Sequence, residues 1–113
     1  MIQQLRIYEI FDDTKPAFHD RFRDHAARIM RNYGFRIVSM WEAKTDRRTE
    51  FVYLLEWPDV ATKTRAWEAF MADEEWKAIK QVTGAQHGRL VGEIEDRILT
   101  PTSYSPTLGP PSS

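Results

Sequence analysis

Cysteine is absent from the 113-residue chain, which excludes disulfides, thiolate nucleophiles and metal centres with cysteine ligands. Neither sign of charge is in excess, because 16 basic and 17 acidic residues leave a formal net charge of −1. Such a balance gives no electrostatic reason to bind nucleic acid or an anionic membrane. No apolar run approaches the ~20 residues that a membrane span requires, and we expect no signal peptide. We therefore predict a cytoplasmic protein.

The composition is that of a globular protein, with 42% hydrophobic and 29% charged residues. A chain of this length forms one domain with a modest core. We predict that domain over residues 1–100. Residues 101–113 are rich in proline and serine and lack periodicity, so they are predicted to form a C-terminal tail.

The clearest local pattern is a β-hairpin. Two apolar runs of strand length, 35–41 and 51–57, flank a polar turn. Side chains alternate along a strand, so Phe35 and Trp41 are predicted on one face and Val38 on the other. Apolar residues on both faces mean that both faces of the sheet need cover.

Helical periodicity precedes and follows the hairpin. Apolar residues recur at spacings of three and four over 18–33, which predicts a first helix that ends at Gly34. Asp59 suits the N-cap of a second helix, and a shorter helix is predicted over 73–84. A polar loop carrying His87 is expected to follow it. Two more strands complete the pattern, at 5–11 and 91–99.

This order of elements, β-α-β-β-α-β, predicts an α+β protein with a ferredoxin-like fold. That fold is a four-stranded antiparallel sheet with the helices on one face. The other face would be closed by a second copy of the chain, which predicts a homodimer or larger assembly built as a dimeric α+β barrel.

Several segments resemble the NIPSNAP family of the dimeric α+β barrel superfamily, over residues 3–100. The segments that carry the resemblance are Leu5-Arg6-Ile7-Tyr8, Gly34-Phe35 with Val38 and Trp41, Glu50 through Leu54 to Trp57, and Asp73-Glu74-Glu75-Trp76. The chain departs from the family pattern at four positions: Ser39 for glycine, Thr49 for asparagine, Trp57 for tyrosine and Glu74 for proline.

The resemblance implies the same dimeric barrel but assigns no reaction. Related members of the superfamily include cofactor-independent quinone-forming monooxygenases, haem-degrading enzymes and lactone isomerases. A shared fold alone does not transfer their chemistry.

The candidate ligand-binding residues are four aromatic residues and one histidine. His25 lies beside the apolar stripe of the first helix and could act as a general base near neutral pH. Trp41 and Trp76 would wall an apolar cleft, while the hydroxyl groups of Tyr8 and Tyr53 would orient a ligand. The alternative is that the aromatic residues only form core and interface, and that a neighbour satisfies His25.

The remaining polar candidates suggest neither a metal site nor a known catalytic motif. His19 and His25 are six residues apart and fall on different helix faces, so no metal ligand set is predicted, and no cofactor is expected. An inward Arg6 would need a carboxylate, for which Glu50 or Glu56 is the expected partner, unless it holds an anionic substrate.

Two functions remain open. The first is binding of a small lipophilic or aromatic molecule between helices and sheet, with a cofactor-independent enzyme as its catalytic form. The second is a non-catalytic dimeric scaffold that binds a partner protein through its proline-rich tail.

Overall fold

A computed structural model describes residues 1–106. Four strands and four helices follow one another in the order β1 (Ile2–Ile10), α1 (Lys15–Arg21), α2 (Ala27–Asn32), β2 (Arg36–Lys44), β3 (Thr49–Trp57), α3 (Val60–Met71), α4 (Glu74–His87) and β4 (Val91–Leu99). A π-helical turn, Phe22–Ala26, joins α1 to α2. The predicted α+β order is confirmed. The last seven residues of the predicted tail lie outside the described residues.

The four strands form one antiparallel sheet in the order β2-β3-β1-β4. The edge position of β4 fits its charged alternation, because exposed charges discourage pairing with another strand. One face of the sheet packs on the helices around a core whose most buried large side chains include Ile10, Phe18, Tyr53, Leu55, Trp57 and Phe70.

A register shift in β2 changes which residues face the helices. The pairing of β2 with β3 slips by one residue between Ile37 and Ser39, as a β-bulge does. Beyond the bulge Trp41 pairs with Val52, and directly paired residues lie on the same face. The prediction that Trp41 shares a face with Phe35 is therefore wrong: Trp41 lies half-exposed on the face away from the helices.

Several helix ends follow the predicted capping residues, but Thr14, a predicted N-cap, makes no side-chain capping hydrogen bond to α1. Asp59 accepts a hydrogen bond from the Thr62 N–H at 2.7 Å, and Gly34 has the positive φ of 86° that a helix C-terminus often requires. The predicted end of the last helix at Gly84 is wrong, because α4 continues through His87 to Gly88, where φ is 74°. A helix tolerates an interior glycine at a cost of about 1 kcal/mol.

The face of the sheet away from the helices, here called the open face, is partly apolar. Its centre consists of residues that are only partly buried: Leu5, Ile7, Val52 and Leu54. Trp41 extends this patch on β2. Among the described residues, no helix has the length and apolar character needed to cross a lipid bilayer.

Candidate ligand-binding site

A cavity of about 240 Å³ lies between the helices and the β1–β4 side of the sheet. Its lining is mainly aromatic and sulfur-containing: Tyr8, Phe18, Phe22, Met30, Trp67, Phe70, Met71 and Trp76. Met71 and Ile94 also line the cavity, although about half of each side chain is exposed. They therefore mark its mouth, between α3 and β4.

The π-helical turn shapes the wall that the first helix contributes. Phe18, Phe22, Ala26 and Met30 all line the cavity at spacings of four. In a regular helix each four-residue step overshoots a turn by about 40°, so the fourth side chain would rotate away. A π turn takes up an extra residue, and such turns are frequent at functional sites. Here it keeps the four side chains on the cavity.

Strand register places a charged group between two polar partners on the sheet side of the cavity. Arg6 pairs across the sheet with Tyr53 on one side and Asp96 on the other. Its guanidinium donates to Asp96 at 3.0 Å, to the Tyr8 hydroxyl at 3.1 Å and to the Tyr53 hydroxyl at 3.4 Å. The same group stacks 4.4 Å from the centre of the Trp67 ring. Arg6 is thus held rigidly, with one side toward the cavity.

The hydroxyl oxygens of Tyr8 and Tyr53 are 2.6 Å apart and are joined by one hydrogen bond. Tyr53 is fully buried and does not line the cavity, whereas Tyr8 does. Burial, followed by the neighbouring Tyr8, raises the pKa of Tyr53 well above its ordinary value, so Tyr53 keeps its proton. A buried donor without an acceptor is costly, so Tyr53 donates to Tyr8. The O–H of Tyr8 is then free to donate into the cavity.

The buried side-chain amide of Gln4 holds the neighbours of Arg6 in place. Gln4 donates to both carboxylate oxygens of Asp96, at 3.0 and 3.1 Å. Its own carbonyl oxygen accepts the indole N–H groups of Trp57 and Trp67. The network therefore fixes both the carboxylate that pairs with Arg6 and the ring on which Arg6 stacks.

Two further cations reach the cavity from the helices. Arg21 of α1 donates to the Thr83 hydroxyl at 3.0 Å, and its guanidinium lies 5.4 Å from the centre of the Trp76 ring. The Lys80 ammonium lies 5.7 Å from the same ring. Burial lowers the pKa of Arg21. Arg21 and Lys80 form no salt bridge with a carboxylate in the part of the chain that the structure describes.

The structure brings three of the five candidate residues together. Tyr8 and Trp76 line the cavity, and Tyr53, on the neighbouring strand, is hydrogen-bonded to Tyr8. His25 lies on the outer side of the helix, where Arg28 approaches its Nδ1 at 3.5 Å. Trp41 lies on the open face. Neither His25 nor Trp41 lines the cavity, so a binding role for them stays a prediction.

The expected partner of Arg6 is wrong. Glu50 and Glu56 are paired with Glu9 and Gln3, which lie on the open face, whereas Arg6 points toward the helices. A strand places neighbouring side chains on opposite faces, so neither glutamate can reach it. Asp96, directly across on β4, takes this role.

Sequence reasoning did not single out Gln4, Arg21, Lys80 or Asp96. Helical spacing carried a signal for two of them, because Arg21 is three residues after Phe18 and Lys80 is four after Trp76. Residues at these spacings share a helix face. Across residues 1–106 no group of three or more histidine, aspartate or glutamate residues is placed to hold a metal ion.

Comparison with known proteins agrees with this fold. The family model described as NIPSNAP matches residues 3–106. An uncharacterised NIPSNAP domain protein from Burkholderia xenovorans has a TM-score of 0.78 at 20% identity, over 95% of this chain and 100% of that one. A NIPSNAP family protein from Agrobacterium tumefaciens has a TM-score of 0.79 at 18% identity, over 93% and 96%.

More distant structures share the fold as well. A putative antibiotic biosynthesis monooxygenase from Nitrosomonas europaea has a TM-score of 0.60 at 16% identity, over 89% of this chain and 98% of that one. No curated protein matches the chain. The family match extends over almost the whole described chain, and this protein therefore belongs to the NIPSNAP family.

Proposed function

We propose that this protein binds a small aromatic or lipophilic molecule in the cavity between helices and sheet. The observation that carries the proposal is the cavity itself, which is lined by aromatic and methionine side chains together with Tyr8 and Arg6. Binding sites for small molecules are mostly apolar and contain a few well-placed polar groups.

The volume of the cavity limits the size of that molecule. At about 240 Å³ it exceeds the roughly 150 Å³ of an engineered cavity that binds benzene. It falls below the roughly 300 Å³ at which sites for drug-sized ligands begin. A molecule of one or two rings fits these bounds.

The polar groups of the cavity suit binding and charge stabilisation more than proton abstraction. Its lining holds donors and cations, and none of its described lining residues is a carboxylate or a histidine. The catalytic form of the proposal is a cofactor-independent enzyme. The Nitrosomonas europaea neighbour, which shares the fold, is named a putative antibiotic biosynthesis monooxygenase. In that form the cavity would stabilise negative charge as it develops on the substrate.

A matched pair of substitutions on β4 tests the proposal. Ile94 is 51% exposed and lines the mouth, whereas Ile98 is 43% exposed on the same face of the strand but does not line the cavity. We expect Ile94→Trp to block the mouth and to weaken binding of one- and two-ring aromatic compounds at least tenfold. Ile98→Trp should leave binding within twofold of the unaltered protein.

Isothermal titration calorimetry measures both affinities without relying on tryptophan fluorescence. Native mass spectrometry of the purified protein adds a search for a bound compound that the Ile94→Trp variant loses. Equal binding by the two variants would place the ligand elsewhere and refute the proposal.

We also infer that a second copy of the chain covers the open face. The helices cover only the other face, while Leu5, Ile7, Val52 and Leu54 form an apolar patch with Trp41 beside it. A two-fold axis would bury this patch against itself, as in most symmetric dimers. The dimer supports the site indirectly, because it stabilises the sheet that forms the cavity floor.

Sedimentation velocity tests the dimer. We expect a species of twice the 13.3 kDa subunit mass at micromolar concentration. Leu54→Glu should shift it to the monomer, since a two-fold axis brings the two added charges close together in an apolar patch. Val82→Glu, at an exposed position on α4, is the control that should leave the dimer intact. A monomeric unaltered protein would contradict the inference.

The scaffold function remains a second candidate because of Tyr104. This residue is 86% exposed, and all of its neighbours in the segment 100–106 are exposed as well. An exposed aromatic side chain between prolines suits a contact with another protein. If the scaffold function holds, deletion of Ser103–Ser113 should abolish binding of a partner protein and leave the binding of aromatic ligands unchanged.

A further inference from the structure

We propose that the natural ligand of the cavity is an aromatic oxyanion, most simply an aromatic carboxylate, whose charged group lies among Arg6, Arg21 and Lys80. This inference rests on the proposed function, because it names the chemical class of the molecule that the cavity takes. Its basis is the excess of cations and hydrogen-bond donors over acceptors in the cavity lining.

The charges of the lining do not balance. Arg6, Arg21 and Lys80 all line the cavity, and none of its described lining residues is acidic. Asp96 pairs with Arg6 from the β4 side. Arg21 and Lys80 form no such pair within residues 1–106. Two positive charges thus remain at an otherwise apolar cavity, where a bound anion would offset the cost of their partial burial.

The hydrogen bonds are unbalanced in the same direction. A guanidinium has five N–H donors, and Arg6 uses one each for Tyr8, Tyr53 and Asp96. Two donors of Arg6 therefore remain, in addition to the free O–H of Tyr8. A ligand beside Arg6 and Tyr8 would gain from accepting these hydrogen bonds, and a carboxylate accepts several at once.

The aromatic walls account for the rest of the ligand. Trp67 and Trp76 line the cavity together with Phe22 and Phe70. A flat ring can pack against these side chains in stacked or edge-to-face geometry. The indoles of Trp67 and Trp76 already hold Arg6, Arg21 and Lys80 by cation–π contacts, so the cations stay at the ring surfaces that a ligand would share.

Pairs of ligands that differ in charge but not in shape test whether the cavity prefers an anion. Benzoate with benzamide, and 2-naphthoate with 2-naphthamide, have nearly equal size but differ in charge. We expect each carboxylate to bind at least tenfold more tightly than its amide by isothermal titration calorimetry, because a charge-assisted hydrogen bond in a partly desolvated site is worth about that factor.

Two arginines of α1 and its extension provide a matched pair of variants. Arg21→Met keeps a long side chain and a good helix former but removes the cavity cation. We expect it to reduce the carboxylate-to-amide preference at least fivefold. Arg23→Met removes a cation that is 68% exposed and pairs with Asp20 and Asp24. It should leave the preference within twofold. Circular dichroism melts check that both variants fold.

The outcomes distinguish this inference from the proposed function. Amides that bind as tightly as the carboxylates, with Ile94→Trp still weakening both, would overturn the anionic ligand and leave the cavity site in place. In that case the cations serve only to stack on the indoles. A carboxylate preference that survives in Arg21→Met would overturn the role of that residue, and with it this inference. No binding by any of the four compounds would refute both proposals.

Discussion

Replacement of Gln4 with leucine tests the polar network beneath the cavity. Gln4 is 1% exposed, and its carbonyl oxygen accepts the Nε1–H groups of Trp57 at 2.9 Å and Trp67 at 2.8 Å. Leucine has a similar size but accepts no hydrogen bond. A buried N–H left without a partner costs about 1–3 kcal/mol. The indole N–H of buried Trp57 should incur this cost in full, whereas the N–H of half-buried Trp67 can hydrogen-bond to water instead.

We therefore expect Gln4→Leu to lower the free energy of unfolding by about 2–4 kcal/mol. For a chain of this size that corresponds to a melting temperature lower by about 8–16 °C. Urea denaturation, followed by tryptophan fluorescence at one fixed protein concentration, measures the change, since association would otherwise shift the midpoint. Gln3→Leu is the matched control on the open face, where a single bond to Glu56 is lost, and should cost less than about 1 kcal/mol.

A double-variant cycle sharpens the test. If the cost arises from the indole N–H of Trp57, Trp57→Phe should cost less in the Gln4→Leu background than in the unaltered protein. The expected coupling energy is at least about 1 kcal/mol. Equal stability of Gln4→Leu and Gln3→Leu, or a coupling near zero, would refute the reasoning.

Two further predictions concern stability away from the cavity. Gly92→Ala should cost about 1–3 kcal/mol in urea denaturation, because the added Cβ would overlap the Phe11 ring and displace the Glu9 carboxylate from its hydrogen bond with the Glu93 N–H. Gly84→Ala has open space around it and should stabilise α4 by about 0.5–1 kcal/mol. The Tyr33 hydroxyl donates a hydrogen bond to Asp73 and lowers the pKa of Asp73 in the folded protein. The ionised Asp73 therefore stabilises the fold above about pH 3.9, the pKa of an aspartate in the unfolded chain, and this contribution is lost as the pH falls further. Asp73→Asn, which can still cap α4, should reduce the decline of melting temperature between pH 5 and 2; an unchanged decline would contradict this assignment.

Much of the fold could be predicted because local signals and the overall pattern agree. The two apolar runs on either side of the polar turn became β2 and β3, and the caps at Asp59 and Asp73 began α3 and α4. Where two signals competed, prediction failed: Gly84 lies in a helix that a later glycine at 88 ends. The predicted cytoplasmic location stays a prediction.

The site was harder to predict because it depends on one-residue shifts in register. The bulge near Val38 places Trp41 on the open face. No residue at that position has a sequence preference that would predict a bulge. The π turn likewise changes which side chains face the cavity. Asp96 resembled a surface charge on an edge strand, and only the pairing of β4 with β1 places it opposite Arg6.

The four tryptophans provide the most direct test of the cavity as the ligand site. Trp67 and Trp76 line it, Trp57 is buried outside it, and Trp41 lies on the open face. Each indole N–H gives its own signal in a ¹H–¹⁵N correlation spectrum. On titration with 2-naphthoate, we expect the signals of Trp67 and Trp76 to shift and that of Trp41 to stay in place. A shift confined to Trp41 would place the ligand on the open face and contradict the assignment of the cavity as the binding site.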